Sequence, residues 1–322
     1  GARPRASRGG IVEEEEEMHA RPSVALLGEM QRVATSAAGD FKAQQVANLL
    51  WALATMGVDV DERLLRAMQR QAVGTARSAK PQEVTQVLWA LATMGVRADG
   101  GLLEAMQRRA MATVETFNAQ NVGNVLWAVA TMGERVHRGL LEAMQRRATA
   151  IGRDFKPRQV ANVLWALATM RERADRAVLV ALQRRAVATA GEFKPQEVAN
   201  VLWALSVMDE VFDNDLAVLT DRLAARILEL RGPFSLIHKR QMLWALAVMV
   251  HQWLLSCELG LAPGASLPKG VARVKQEIGA ECLQLFSGHA THESRLQRDV
   301  ATALKRCAGL EVEIEEEFHD AR

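Results

Sequence analysis

The sequence of 322 residues predicts an all-α protein, a right-handed α-solenoid of 38-residue helical-hairpin repeats. The first observation is a period of 38 residues between five tryptophans, namely Trp51, Trp89, Trp127, Trp165 and Trp203. A fixed period between 20 and 50 residues indicates stacked supersecondary units. The second observation is that each period contains two apolar runs at helical spacing, with no strand-like alternation between Pro22 and Leu230.

The first helix of each repeat, helix A, has a recognisable start and end. In the fourth repeat it opens with Phe155-Lys156-Pro157, and proline suits the first helical position. Phe155 and Val160 have the spacing of a hydrophobic staple, whereas lysine is a poor N-cap. The staple and the proline therefore fix the start, and the helix should end near Met170. In three other repeats a left-handed stop follows the helix, at Gly57, Gly95 and Gly133.

The second helix, helix B, is an amphipathic run such as residues 140–148. Residues 26–32 lie 38 residues before the helix B run 64–70, so they form a helix B whose helix A is absent or unrecognisable. Full repeats follow at about 41–78, 79–116, 117–154, 155–192 and 193–233. The last carries three extra residues between Asp209 and Arg231, and a degraded copy surrounds Trp244.

Three regions follow from these patterns. Residues 1–20 are expected to be a disordered acidic N-terminal segment, and residues 21–250 the repeat array. Residues 251–322 should hold two further helices, 271–286 and 293–307, and a strand at 310–315. A terminal strand without a partner indicates that this last region is truncated.

Charge is unevenly distributed along the chain, although its net value is only +2. Residues 41–192 contain 21 Lys/Arg against 13 Asp/Glu, which favours a polyanionic partner. No apolar run is long enough to span a membrane. The three cysteines are widely spaced and indicate reduced thiols. We expect no enzyme activity, cofactor or metal, because no catalytic or metal-binding motif occurs.

The candidate RNA-binding side chains lie on helix A. Counting from the tryptophan at 100° per residue places positions −5, −2, −1, +2 and +5 in the core. Positions −7, −3, +1 and +4 form a separate stripe, bordered by −6. The candidates occupy −7, −6 and −3 of each repeat: Gln44, Gln45, Asn48, Gln82, Glu83, Gln86, Gln120, Asn121, Asn124, Arg158, Gln159, Asn162, Gln196, Glu197 and Asn200.

Each of these features has two interpretations. Varied hydrogen-bonding side chains at −7 and −6 suit reading one base per repeat, but such residues are also favoured near a helix start for local reasons. The amide at −3 suits a structural hydrogen-bond ladder or a ligand contact. The tryptophans suit packing between repeats, aided by small neighbours such as Ala199 and Ala204, or base stacking. The helix B arginines suit phosphate contacts or a solvated face; they are Arg70, Arg108, Arg109, Arg146, Arg147, Arg184 and Arg185.

The motif Phe-Lys-Pro-Gln-Glu-Val-Ala-Asn-Val-Leu-Trp-Ala-Leu of residues 193–205, at its 38-residue period, resembles octotricopeptide (OPR) repeats. These are helical-hairpin repeats that bind RNA. Residues 294–300 and 311–315 resemble the lead-in to a RAP domain. The resemblance implies organelle RNA stabilisation, processing or translation control, in a plastid or mitochondrion, with base reading at −7 and −6.

We therefore expect the A helices to line a concave face that holds single-stranded RNA. The other expected partners are proteins of an RNA-processing complex. A protein-binding scaffold of the HEAT or armadillo type is the main alternative, since it shares the architecture. A second alternative is an enzyme whose catalytic part lies beyond Arg322.

Overall fold

The computed structural model describes residues 23–172, 174–208 and 214–230, and this part of the chain is helical without any strand. The A helices are α2 (Ala43–Met56), α4 (Pro81–Thr93), α6 (Ala119–Met132), α8 (Pro157–Met170) and α10 (Pro195–Val207). The B helices are α1 (Val24–Ser36), α3 (Glu62–Thr75), α5 (Gly100–Thr113), α7 (Arg138–Ala150), α9 (Arg176–Ala188) and α11 (Asn214–Glu229). A short 3₁₀ turn links most B helices to the next helix A. The all-α prediction and the A–B hairpin are confirmed.

The chain divides into two compact units, residues 1–147 and 148–322. In the first unit, α2, α4 and α6 pack side by side in one layer, and α1, α3 and α5 form a second layer. In the second unit, α8 packs on α10 and α9 packs on α11. Each unit is thus a two-layer stack of hairpins, as expected for an α-solenoid. The right-handed sense stays a prediction.

Helix A starts as the sequence predicts. Lys80, Lys156 and Lys194 occupy N-caps without any side-chain capping bond, and a proline follows each. The two staple positions are fully buried in the fourth repeat, where Phe155 and Val160 are both 0% exposed. The buried hydrophobic staple therefore fixes the residue at which helix A begins.

In the first four repeats helix A is followed by a left-handed residue, as predicted for three of them. Gly57, Gly95 and Gly133 have φ of 61°, 68° and 69°. The fourth repeat lacks this glycine, yet Arg171 adopts the same conformation with φ 54°. A left-handed non-glycine residue costs roughly 1–2 kcal/mol, so the packing of the hairpin imposes this turn on the sequence.

The predicted alignment of the repeats along the sequence holds at both ends of the described chain. Helix α1 packs on α3 as a B helix, although no helix A precedes it in the part that the structure describes. The three extra residues of the fifth repeat precede Arg226, which bonds the carbonyl of a residue 33 positions earlier, against 30 in the preceding repeats. This interval agrees with the insertion that the sequence places after Asp209.

The core is mostly the one predicted, with corrections at +5 and +1. Positions −5, −1 and +2 are buried in every helix A, but +5 was wrongly placed in the core, because it is exposed at Met56 and only partly buried in the other A helices. Position +1 does not belong to the outer stripe, because Ala90, Ala128, Ala166 and Ala204 are 0% exposed. Their small side chains are buried where adjacent A helices pack closely, so the prediction for +1 was wrong.

Several predictions fall outside the described residues. These are the acidic segment 1–20, the degraded repeat at Trp244, the helices and strand of 251–322, the RAP-like lead-in and the cysteines. Among the helices that the structure does describe, none has the length and apolar character needed to cross a membrane.

Candidate nucleic-acid interface

The solvent-facing stripe of helix A carries four kinds of side chain in α2, α4 and α6, with one substitution each in α8 (Arg158 at −7) and α10 (Val207 at +4). In α4 it consists of Gln82, Gln86, Trp89 and Thr93, at positions −7, −3, 0 and +4. These positions lie within about 60° of one another on the helix, opposite the core residues. The stripe is therefore amide, amide, tryptophan and threonine on the three A helices of the first unit, and both A helices of the second unit keep the amide at −3 and the tryptophan.

Position −7 is the most accessible part of this stripe. Its side chain is exposed in four repeats and partly covered in the fifth: Gln44, Gln82, Gln120, Arg158 and Gln196. No described hydrogen bond occupies the four glutamine amides at this position. The structure thus leaves donors and acceptors at −7 open to solvent, as base reading requires.

Position −6 has a structural role that the sequence left undecided. In every described helix A, its side-chain oxygen accepts a hydrogen bond from the backbone N–H of the N-cap residue at 2.8–3.2 Å. The acceptors are Gln45, Glu83, Asn121, Gln159 and Glu197. The capping is reciprocal only at Asn118 and Asn121, because a lysine side chain has no acceptor. Local capping therefore explains the residue types at −6 without RNA.

Two members of position −6 also interact with the preceding repeat, one through a hydrogen bond and one through charge. The Asn121 Nδ2 donates to the Thr85 hydroxyl at 3.1 Å. Burial raises the pKa of the Glu197 carboxyl, against the lowering effects of the Lys194 backbone N–H, the Lys194 charge and the Arg158 charge. The charge of Arg158, at −7 of one repeat, thus acts on the carboxyl at −6 of the next repeat.

Position −3 is less open than position −7. Asn48 is exposed, whereas Gln86, Asn124, Asn162 and Asn200 are partly buried. The three latter asparagines already have interactions within the protein. This favours a largely structural role for the amide at −3.

The tryptophans pack between repeats while keeping an accessible edge. The rings of Trp165 and Trp203 lie 6.5 Å apart between centroids, tilted by 38°. Trp89, Trp127, Trp165 and Trp203 are partly buried. Packing between repeats is therefore shown for Trp165 and Trp203, whose accessible edges remain the part that could meet a ligand.

The hydrogen bonding of the threonine hydroxyl at +4 differs between helices. The Thr55 hydroxyl donates to the Trp51 carbonyl at 2.8 Å. The corresponding hydroxyls of Thr131 and Thr169 are buried at the stripe without a hydrogen-bond partner. Each therefore retains an unused donor beside the tryptophan of its helix.

The arginine pairs of helix B split into two roles. The second arginine donates Nε to the backbone carbonyl before helix A of its own repeat, at 2.5–3.0 Å. The bonds join Arg109 to Ala79, Arg147 to Phe117, Arg185 to Phe155 and, in α11, where Ala225 stands in place of the first arginine, Arg226 to Phe193. The first arginine of each pair is exposed on the B layer, facing away from the helix A stripe across the core. One RNA strand on the A layer would not meet it.

Positive charge on the A layer comes instead from the N-caps. Lys42, Lys80, Lys156 and Lys194 are exposed there, at the end of the stripe where −7 lies. A cation beside a helix N-terminus opposes the helix dipole, so an anion bound at this end would relieve the repulsion. Arg158 adds a further charge in the fourth repeat.

A buried glutamine that the sequence analysis missed joins successive repeats. Gln107 donates Nε2 to the Arg135 carbonyl at 3.0 Å and accepts the His137 backbone N–H at 2.7 Å. The same position is buried in five B helices: Gln31, Gln69, Gln107, Gln145 and Gln183. The signal was the glutamine that recurs at the 38-residue period in five B helices, which no solvated face requires.

Residues 17–252 match the family model of the RNA-editing substrate-binding complex 6 protein. The match covers the whole described array and nearly three quarters of the 322 residues. No curated protein matches the chain. The family is RNA-associated, as the resemblance to octotricopeptide repeats implied, but the match does not name that repeat family or a RAP domain.

Proposed function

The chain belongs to the RNA-editing substrate-binding complex 6 protein family, and on this premise we propose that its A-helix stripes bind single-stranded RNA. The role is non-catalytic: the array holds RNA within a complex and other proteins act on it. Of the two predicted compartments, we propose the mitochondrion, because an RNA-editing family favours it over a plastid. Fluorescence of the tagged full-length protein against mitochondrial and plastid markers tests the compartment.

The observation that carries the proposal is the open amide at −7, repeated on a constant scaffold. A glutamine amide donates and accepts, so it can pair with the edge of an unstacked base. Arg158 replaces glutamine in one repeat and would favour a base that presents two acceptors. Repeat-by-repeat variation on a fixed frame is how helical repeat proteins read RNA one base at a time.

The phosphate contacts are assigned to the lysine N-caps rather than to the helix B arginines. Lys42, Lys80 and Lys156 flank the −7 side chains, whereas Arg146 lies on the other layer. A groove of amides, lysines and tryptophan edges favours nucleic acid over the acidic or apolar surface that a protein-binding solenoid would present.

Filter binding against pools of single-stranded RNA across a salt series tests this function. We expect saturable binding that weakens steeply with salt, because lysine contacts release counterions from phosphates. A Gln82→Ala/Gln120→Ala variant should lose selectivity among RNAs while retaining the salt dependence. Absent or salt-insensitive binding by the wild-type chain would contradict the proposal and favour a protein-binding scaffold.

A further inference from the structure

The B layer of the first unit carries a row of arginines that the proposed RNA-binding stripe does not use. One arginine of each B helix occupies the same position of the 38-residue repeat and is exposed: Arg32, Arg70, Arg108 and Arg146. We call these residues the arginine row. Helix α1 packs on α3 and α3 packs on α5, and Gly139 of α7 lies against the Met111 side chain of α5, so the row crosses adjacent helices. Packed helices lie about 8–10 Å apart, so the row extends over roughly 24–30 Å.

The acidic side chains on this surface do not neutralise the row. The glutamates of α1, α3, α5 and α7 each form an ion pair with an arginine three or four residues away in the same helix: Glu29 with Arg32, Glu62 with Arg66, Glu104 with Arg108 and Glu142 with Arg138. Arg70 and Arg146 are exposed and have no acidic partner among the residues that the structure describes. Arg63 and Arg77 add two exposed cations beside Arg70. The surface therefore keeps a net positive charge.

The same surface lacks the groups that hold unpaired bases. No aromatic residue occurs in α1, α3, α5 or α7. The glutamine at the position of Gln107 is buried in each of these helices, and Gln71 of α3 donates to the carbonyls of Gly39 at 3.0 Å and Phe41 at 2.6 Å. Proteins hold unpaired bases by stacking them on side-chain rings and by hydrogen bonds to their edges. The arginine row can therefore contact phosphates, but it offers nothing to unpaired bases.

We propose that the arginine row binds the phosphate backbone of double-stranded RNA, at a site separate from the A-helix stripes and independent of them. In a duplex the bases are already paired and stacked, so a row of cations without aromatic rings can bind it through the phosphates alone. Arginine suits this contact because its planar guanidinium donates two parallel hydrogen bonds to one phosphate. The first unit thus offers its A layer to single-stranded RNA and its B layer to a duplex of any sequence.

An acidic protein fits this surface less well than an RNA duplex does. A protein interface has an apolar core inside a polar rim, and charged residues are depleted in that core. The large hydrophobic residues exposed on α3, α5 and α7 are Val73 and Met111, one on each of two helices. Two such residues among arginines do not form an apolar core. The surface therefore favours phosphates over the carboxylates of a folded partner.

The test is fluorescence anisotropy of a labelled, blunt-ended RNA duplex of about 16 base pairs, added to the full chain across a salt series. We expect saturable binding that weakens with salt and is the same for duplexes of different sequence. Arg70→Gln/Arg146→Gln should weaken duplex binding by about tenfold or more and reduce the salt slope by about 2. Lys42→Gln/Lys80→Gln is the matched control, because it removes the same number of charges from the A layer. It should weaken binding of the single-stranded pool and leave duplex binding within about twofold of the wild type.

Because Arg70 and Arg146 are exposed and make no ion pair with described residues, the arginine variant should retain the wild-type thermal melt, and a measured melt checks this. Absence of saturable duplex binding, or equal duplex binding by the arginine variant and the wild type, would overturn the proposal. An equal loss of duplex binding in the lysine variant would also overturn it. A labelled oligoglutamate peptide provides a further arm, since tighter binding of this peptide than of the duplex, lost in the arginine variant, would assign the row to an acidic polypeptide. Binding of the single-stranded pool is measured separately, so failure of either claim is distinguishable from failure of the other.

Discussion

The indole rings of Trp165 and Trp203, 38 residues apart in the sequence, are in contact with centroids 6.5 Å apart and planes tilted by 38°. Each tryptophan belongs to an A helix whose alanines allow the neighbouring helix to approach. The contact therefore joins repeats through the most regular residue of the sequence. It also keeps one indole edge beside the amides of the proposed RNA-binding stripe.

Replacing this tryptophan should weaken folding before it affects RNA binding. Trp203→Ala removes the contact with Trp165 and part of the packing between α8 and α10. We expect a loss near the lower end of about 3–5 kcal/mol in the free energy of unfolding, because the ring is only partly buried. Urea denaturation measures it. An unchanged midpoint together with lost RNA affinity would instead make Trp203 a base-stacking platform.

The buried glutamine of helix B should matter for stability although it lies far from the stripe. Gln107→Ala leaves the Arg135 carbonyl and the His137 N–H without their partner, at a cost of about 2–3 kcal/mol. Chemical denaturation of Gln107→Ala beside Gln120→Ala makes the comparison. The exposed Gln120 should change stability by less than about 0.5 kcal/mol. Equal effects of the two substitutions would refute the role assigned to Gln107.

The helix end at Arg171 predicts a stabilising substitution. Arg171→Gly relieves the left-handed strain but makes the unfolded chain more flexible, which leaves a net gain of about 0.5–1 kcal/mol. Gly133→Arg makes the opposite change at the equivalent position, where a Cβ would meet nothing within 4 Å. Thermal melts should therefore shift in opposite directions. A melting temperature of Arg171→Gly below that of the wild type would contradict the claim that the Arg171 backbone is strained.

The raised pKa of Glu197 predicts a pH-dependent effect of Glu197→Gln. Burial raises the pKa of the folded carboxyl above its usual value of 4.5, so the folded state favours the protonated form. The charged carboxylate therefore lowers the free energy of unfolding at pH values above this pKa. The loss of stability disappears as the pH falls and the carboxyl becomes protonated in both states. Glu197→Gln should be more stable than the wild type near pH 7 and equal to it in acid. Gln159, at the equivalent position, shows that an amide can make the same capping bond. A stability difference between Glu197→Gln and the wild type that does not change with pH would contradict the burial argument.

The sequence revealed the period, the two helices of each repeat and most of the core, because apolar spacing and turn residues act locally. It could not separate roles within polar positions. Gln120 and Asn121 are adjacent and chemically alike, yet only Asn121 caps its helix and bonds the preceding repeat. Arg146 and Arg147 are likewise adjacent and identical, yet Arg146 is exposed on the B layer whereas Arg147 bonds the Phe117 carbonyl. The buried Gln107 was overlooked because its partners are backbone atoms about 30 residues away, which no side-chain pattern displays.

The most direct test of the central claim is ultraviolet crosslinking of the full chain to single-stranded RNA, followed by mass spectrometry of the crosslinked peptides. The account predicts crosslinks on peptides containing the stripes of α2, α4 and α6 in the first unit and α8 and α10 in the second. Gln82→Ala/Gln120→Ala should reduce those on α4 and α6 and leave the second unit unchanged. Crosslinks confined to the exposed arginines of the B helices, such as Arg70 and Arg146, would place the RNA on the other layer and contradict the account.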